Sequence, residues 1–196
     1  MAKSFLDIID LTSGGNRADF RATVEAQLWT IHFWKTGKAL LDEITRKASG
    51  ALWDTKLRIR YLDGACAYRE DEVLYYDPKY CLREPHFEPT QKLVIASNKT
   101  YIYLFHELIH FYHDVSGTFR ANLEEELLTV GLYDKSHEPL SENALRKDAM
   151  LPRRPCYCWQ RRADSVTDYE RERKIREGKG LPDQSLLTAS SNECKF

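Results

Sequence analysis

Residues 100–115 read TYIYLFHELIHFYHDV and contain an HExxH motif, HELIH, at positions 106–110. Two histidines four residues apart lie on one face of a helix, one turn from each other, where a single zinc ion can bind both imidazoles. Glu107 lies on an adjacent part of the helix surface, where it can take a proton from a zinc-held water that attacks a carbonyl. The motif therefore predicts a zinc-dependent peptidase in which His106 and His110 bind Zn2+ and Glu107 is catalytic.

The flanking sequence favours a helix for the whole segment. Five apolar residues surround the motif and suit a buried helix: Leu104, Phe105, Leu108, Ile109 and Phe111. Gly117 is placed to end the helix, because glycine readily adopts the left-handed backbone found just after a helix. The alternative is a buried helix whose two histidines are hydrogen-bonded and bind no metal.

The composition is ordinary for a globular protein, with 42% hydrophobic residues, 30% charged residues and a net charge of -1. There is no basic excess and no apolar run of transmembrane length, so we expect binding to neither nucleic acid nor membrane. We expect a monomer, although no sequence feature bears on the oligomeric state. The cysteines are odd in number and match no disulfide framework. Cys156 and Cys158 are therefore predicted to be free thiols.

The pattern along the chain predicts several strands followed by helices, which is typical of an α+β fold. Strands are predicted at 23–33, 56–62, 73–76 and 92–96, a helix at 38–47 and a loop at 77–90. Further helices are predicted at 100–115, 121–132 and 141–150. The expected domains are a flexible leader at 1–20 that could carry a secretion signal, a zinc metalloprotease domain at 21–160, and a charged helix with a disordered tail at 161–196.

A third metal ligand is expected on the helix that follows the motif. Catalytic zinc usually has three protein ligands and a water, and Glu124, Glu125 and Glu126 open that helix. If the helix packs back on the first, one of these carboxylates can complete the site. Consecutive residues project in different directions, so at most one or two of them can face the metal.

Two stretches resemble the clostridial neurotoxin light chains, which carry HELIH followed by Glu-Glu-Leu-x-Thr-x-Gly. Residues 125–131 read EELLTVG, and this alignment implies Glu126 as the third zinc ligand and Glu125 as an acceptor behind the site. The RPCY sequence that begins at Arg154 is similar to the Arg-x-x-Tyr at the active site of those proteases. It implies that Arg154 and Tyr157 hold the substrate carbonyl and the oxyanion.

Several of these assignments have alternatives. The RPCY segment is equally a basic loop with a half-buried tyrosine. Arg146 is a rival for the oxyanion role, or it pairs with Glu125 and locks the second helix onto the third. His113 either orients a group near the zinc or, as the sequence favours, lies on the solvent side or caps the helix.

Three motifs together, HELIHFYH, EELLTVGL and SENALR, resemble more closely the NleD-type effector metalloproteases, small type III-secreted enzymes of enteric and plant-pathogenic bacteria. The resemblance covers roughly residues 36–157. It implies a zincin-like fold, with a small twisted sheet, the HExxH helix and a following Glu-bearing helix. It also implies a secreted protein, delivered to the host-cell cytoplasm, that cleaves a host signalling protein; the nearest relatives cut stress-activated MAP kinases in their activation loops.

The strand at 92–96, just before the motif helix, is where we expect an extended substrate to add by β-pairing. Two other functions fit the same sequence. One is a non-catalytic pseudo-protease that binds a host protein, and the other is a toxin domain with the same chemistry and a different delivery route.

Overall fold

The computed structural model of the chain describes residues 4–11, 18–50, 56–63, 68–70, 73–79, 83–87, 93–97, 99–120, 123–157 and 166–180. The predicted disordered tail at 181–196 and Cys158 lie outside these residues, as do residues 12–17 of the predicted leader. In the part of the chain that is described, no helix combines the length and the apolar character that a membrane span requires.

The fold is α+β and zincin-like, as predicted, with helices packed on a small mixed sheet. The helices are α1 Ala18–Phe33, α2 Lys35–Gly50, α3 Thr100–Val115, α4 Leu123–Val130, α5 Glu142–Asp148 and α6 Val166–Gly178, with short 3-10 turns at Phe5–Ile8 and Tyr133–Lys135. The strands are β1 Ile9–Asp10, β2 Leu57–Tyr61, β3 Tyr68–Glu70, β4 Val73–Tyr76, β5 Arg83–Phe87 and β6 Leu93–Ser97.

The strands form two sheets. The larger has the order β1-β2-β4-β3, with β2 parallel to both β1 and β4, and β3 antiparallel to β4. Strands β5 and β6 form a separate antiparallel pair. The predicted strands at 56–62, 73–76 and 92–96 are confirmed within a residue or two, but the predicted loop at 77–90 is wrong in part because it contains β5.

The strand predicted at 23–33 is wrong, because these residues belong to helix α1. The prediction weighed the β-branched and aromatic side chains of the segment. The buried residues instead recur at helical spacing, with Phe20, Val24, Leu28 and Ile31 all against the core. Trp29 and Phe33 face outward, 52% and 76% exposed. Packing of one apolar stripe has therefore outweighed local β-propensity.

The flexible leader predicted at 1–20 is also wrong for its described residues. Phe5, Ile8 and Leu11 are buried in the main core, and β1 pairs with β2 through Ile9 and Leu57. The Ser4 side chain caps the first 3-10 turn, and the Ser4 amide donates a hydrogen bond to the Asp7 carboxylate at 2.7 Å. The start of the described chain is thus an integral part of the fold.

Helix α3 is the central element, and both of its ends are held. At its start, the Tyr76 hydroxyl of β4 lies 2.7 Å from Gln27 Oε1 of α1 and 2.9 Å from the Thr100 carbonyl, so its single hydrogen is within reach of both acceptors. Gln27 Nε2 in turn donates to Thr100 Oγ1 at 2.9 Å. These partly buried hydrogen bonds connect the sheet, α1 and the start of α3, so the position of the motif helix is fixed at its first residue.

Gly117 and Gly131 end α3 and α4 in the same way. Both have left-handed backbone, with φ of 66° and 76°. After α3, the Thr118 amide donates to the His113 carbonyl at 2.8 Å and the Gly117 amide donates to the Asp114 carbonyl at 2.9 Å, which is the Schellman arrangement. The predicted end of α3 at Gly117 is confirmed, and the sharp stop lets α4 pack back on α3.

Candidate metal centre

Three donor atoms from α3 and α4 converge on one point. The Nε2 atoms of His106 and His110 are 3.1 Å apart, and Glu126 Oε2 lies 3.0 Å from the first and 3.4 Å from the second. Tetrahedral zinc bound at about 2.0–2.2 Å holds its ligands about 3.3–3.6 Å apart. The observed triangle is only slightly tighter than that, and two imidazoles with one carboxylate are a donor set that zinc commonly takes. The residues present therefore fit a zinc ion.

The apolar face of α4 decides which glutamate joins the triangle. Leu123 and Leu127 are buried, so the three glutamates between them point in three directions. Glu124 is exposed and pairs with Arg120 on the surface. Glu125 is buried at 1% exposure, and Glu126 faces the two histidines. The choice between Glu125 and Glu126 thus follows from how α4 lies on α3.

Glu107 borders the triangle. Ligand-capable atoms of His106, Glu107 and His110 all lie within 4.8 Å of one another, and the Glu107 side chain is half-buried. Glu126 Oε2 lies 3.0 and 3.4 Å from the two Nε2 atoms, so Glu126 is the candidate third ligand, and Glu107 borders the same point. A carboxylate in that position can exchange a proton with a group held at the donor triangle.

A buried carboxylate lies behind His110. Glu125 Oε1 is 2.9 Å from His110 Nδ1 and 2.6 Å from His113 Nδ1, while Oε2 accepts from the Arg120 amide at 3.0 Å. Burial opposes ionisation of Glu125, but these hydrogen bonds outweigh it and lower its pKa to about 2. The carboxylate accepts from Nδ1 of His110 and leaves Nε2 directed at the triangle.

Two predicted positions need correction here. His113 is buried at 6% exposure and contacts Glu125, so it is not on the solvent side as the sequence favoured. Arg146 does not pair with Glu125; its Nε donates to Glu142 Oε1 at 2.7 Å. Both errors arose because helical spacing indicates a face of a helix but not the neighbour that covers the face.

Glu142 lies behind His106 as Glu125 lies behind His110, and the sequence analysis did not predict it. Its Oε2 lies 3.1 Å from His106 Nδ1 and accepts from Arg154 Nη1 at 3.0 Å. Burial works against the charge of Glu142, yet Arg154, Arg146 and His106 hold its pKa well below the usual range. The one available signal was its place in SENALR, together with the rule that metal-binding histidines donate their other N–H to a carboxylate.

The carboxylates make the site favourable for a cation. Burial lowers the pKa of His106 and His110, but Glu126 and Glu142 raise that of His106 to about 9, and Glu125 and Glu126 raise that of His110 to about 10. Burial also opposes the charge on Glu126, yet the two histidines hold its pKa far below the usual value. Positive charge placed between the imidazoles is therefore strongly stabilised.

The RPCY segment reaches the site, with different tasks for its two ends. The Tyr157 ring lies parallel to the His106 imidazole, with centroids 6.3 Å apart. Arg154 is buried, and its guanidinium donates to Glu142 Oε2, to the Cys156 carbonyl at 3.1 Å and to the Tyr157 carbonyl at 3.2 Å. Arg154 thus binds the protein at each of its nitrogens, and Tyr157 is the member that lies beside the candidate ligands.

Two further histidines lie apart from this cluster. His32 stacks on Phe5 at a centroid distance of 5.2 Å, and His137 is exposed. Cys156 is a buried free thiol, as predicted.

One comparison with known proteins identifies a relationship. The model of a peptidase family, M91, described as effector protein, matches residues 10–157. No curated protein and no solved structure matches the chain. The matched segment begins in β1 and ends at Tyr157, so it contains every residue of the cluster described above.

Proposed function

The chain belongs to the M91 family of effector peptidases, the NleD type, and on that premise we propose that it is a zinc-dependent endopeptidase. The observation that carries the proposal is the donor triangle of His106, His110 and Glu126, with sides of 3.0–3.4 Å, and Glu107 beside it. A purely structural zinc site would close the fourth position with another protein ligand. Here the donor triangle has three members, and the fourth group, Glu107, is the glutamate of the HExxH motif, which acts as a base rather than as a ligand.

Bound zinc would supply Lewis-acid polarisation of the scissile carbonyl and would lower the pKa of a coordinated water. Glu107 takes a proton from the attacking water and passes it to the leaving amine. Glu125 and Glu142 keep Nε2 of each histidine directed at the triangle by accepting at Nδ1.

Tyr157 contributes the second electrophilic group. Its ring lies parallel to the imidazole of His106, with the two ring centroids 6.3 Å apart. A phenol can donate a hydrogen bond to the oxyanion that develops on the substrate carbonyl. Arg154 acts indirectly in this proposal. It joins Glu142 to the Tyr157 carbonyl and so links the backbone of Tyr157 to the support of His106.

The substrate is an extended segment of a host protein. Among the described strands, β6 pairs only with β5, and it ends three residues before α3 begins. A substrate peptide adds to its second edge through backbone hydrogen bonds. From the NleD-type resemblance we propose that the substrate is a host signalling protein of the stress-activated MAP kinase class, which the enzyme reaches by secretion into the host cytoplasm.

We propose that the enzyme acts as a monomer through a catalytic domain at about residues 21–160, to which the packed residues 4–11 also contribute.

The test compares wild type with Glu107→Ala and with Glu124→Ala, which removes an exposed glutamate from α4. Each zinc-loaded protein is incubated with host-cell lysate, and new protein N-termini are identified by mass spectrometry. Wild type and Glu124→Ala should generate the same new termini, whereas Glu107→Ala should bind one zinc ion and generate none. A chelator should stop the wild-type reaction.

The pseudo-protease alternative predicts a different result. In that case wild type binds zinc and a host protein but produces no new termini. Cleavage that persists in Glu107→Ala would contradict the proposed mechanism.

A further inference from the structure

Helix α6 lies beyond residues 10–157, the segment that the family model matches. We infer that α6 is nonetheless part of the catalytic unit, because Glu172 of this helix positions the backbone of Tyr157. The inference rests on the proposed function, in which Tyr157 assists the reaction.

Glu172 is the observation that carries the inference. Its side chain is fully buried, and its Oε1 accepts from the Tyr157 amide at 2.7 Å and from the Tyr133 hydroxyl at 3.0 Å. The other described glutamates of α6, Glu170 and Glu177, are exposed. A buried carboxylate is costly unless hydrogen bonds compensate it. The only buried glutamate among these three is thus the one that contacts the RPCY segment.

The backbone of Tyr157 is held from two sides. Glu172 accepts from its amide, and Arg154 Nη2 donates to its carbonyl at 3.2 Å. Arg154 also donates to Glu142, which contacts His106. A continuous chain of hydrogen bonds therefore runs from α6, through Tyr157, to a candidate zinc ligand. Residues 10–157, which the family model matches, supply the Arg154 contact, whereas the Glu172 contact comes from α6.

Tyr133 makes a second contact to the same carboxylate oxygen. It has left-handed backbone, with φ of 54°, a conformation that costs a non-glycine residue about 1–3 kcal/mol and persists where surrounding contacts impose it. Burial and the nearby Glu172 carboxylate raise the pKa of Tyr133, so the phenol stays protonated and donates. The strained turn after α4 is thus oriented toward α6.

Apolar contacts complete the attachment. Ile175 of α6 packs against a small core, and so does Tyr157 of the RPCY segment. This core is formed by Leu123, Leu127, Val130 and Leu132. Three of these residues belong to α4, the helix that carries Glu126, and Leu132 follows it. Glu172 and Ile175 lie three residues apart and so face the same side of α6. On one face of α6, Ile175 therefore contacts the small core and Glu172 holds Tyr157.

The test uses the full chain with Glu172→Ala, Glu172→Gln and the exposed control Glu170→Ala. Glutamine keeps an oxygen that can accept from both donors, whereas alanine does not. The first measurement is amide hydrogen exchange at Tyr157, which needs neither zinc nor substrate. Exchange should accelerate in Glu172→Ala alone. Unchanged exchange in that variant would refute the inference, whatever the fate of the proposed function.

The second measurement is the steady-state cleavage of the host protein found with wild type. Loosening a group at the reacting centre costs up to about 100-fold, so Glu172→Ala should lower kcat about 10- to 100-fold with KM and zinc content nearly unchanged. Glu172→Gln and Glu170→Ala should stay within about threefold of wild type. If glutamine is as damaging as alanine, the hydrogen-bond acceptor is not what matters and the inference fails.

A double-mutant cycle separates positioning from general support of the fold. Tyr157→Phe removes the hydroxyl and should itself lower kcat. If Glu172 acts through Tyr157, adding Glu172→Ala to Tyr157→Phe should lower kcat no further. Additive losses would show that Glu172 acts by another route and would overturn the inference. If wild type cleaves nothing in lysate, the proposed function fails, and the exchange measurement still decides whether Glu172 holds Tyr157.

Discussion

Removing Glu142 should disturb the fold and the metal centre together. It is 1% exposed and accepts hydrogen bonds from Arg146 at 2.7 Å and from Arg154 at 3.0 Å, and both arginines are themselves buried. Removing one member of a buried ion pair costs about 3–5 kcal/mol, because the partner is left charged and uncompensated. Glu142→Ala should therefore lower the free energy of unfolding by at least about 3 kcal/mol, a large share of the 5–15 kcal/mol typical of a domain.

The assay is urea denaturation of the metal-free protein in the presence of a chelator, so that zinc binding does not contribute to stability. With an m-value of about 2 kcal/mol/M, the midpoint should fall by about 1.5–2.5 M. Glu142→Gln keeps one acceptor oxygen and should lose less, about 1–3 kcal/mol. Glu124→Ala is the matched control. It breaks an exposed ion pair with Arg120 and should cost less than about 1 kcal/mol.

The second readout is zinc affinity. Glu142 Oε2 lies 3.1 Å from His106 Nδ1, and losing a partner that orients a metal-binding histidine typically weakens affinity about 10- to 100-fold. If the free energy of unfolding of Glu142→Ala lies within about 1 kcal/mol of the wild-type value, the reasoning about buried charge is refuted. A destabilised variant with unchanged zinc affinity would show that Glu142 supports the fold but not His106.

Three further predictions concern the same helices. Glu126→Ala should weaken zinc binding measured by calorimetry by more than about 100-fold, the upper limit for residues that only orient ligands, whereas Glu124→Ala should leave it unchanged. His113→Phe removes the hydrogen bond to the carboxylate behind His110 and should cost about 1–3 kcal/mol in urea denaturation; a loss below 0.5 kcal/mol would contradict that role. Gly117→Ala should lower the free energy of unfolding by about 1–2 kcal/mol, because alanine disfavours the left-handed backbone and its Cβ meets no other atom. Gly131→Ala should cost about 1–3 kcal/mol more, because its Cβ would also collide with the Ser141 side chain, which caps α5. Equal losses in the two glycine variants would contradict the collision.

Helix-forming patterns were the most predictable part of the fold. Residues 100–115 form α3 with the predicted bounds, since a continuous apolar stripe and a terminal glycine both favour one structure. Residues 23–33 were assigned wrongly, because the same β-branched and aromatic residues suit a strand or a helix. The buried stripe at Val24, Leu28 and Ile31 distinguishes the two only once the partner surface is known.

The candidate site divides in the same way. The four-residue spacing of His106 and His110 places their imidazoles together on any α-helix, so sequence alone predicts that pair. Glu142 and Glu172 could not be predicted, because they lie 36 residues beyond His106 and 15 residues beyond Tyr157, on separate helices. Nothing in local spacing indicates which buried groups those helices meet.

By itself, the sequence determined the helix that carries His106 and His110 and the neighbouring position of Glu107, because these depend on the repeat of a single helix, and it predicted the peptidase class. Only the tertiary structure decided that Glu126 rather than Glu125 faces the donor triangle, and that Glu125 and Glu142 are the carboxylates behind the two histidines. Those assignments depend on how separate helices pack, and packing is set by the burial of apolar faces that are distant in sequence.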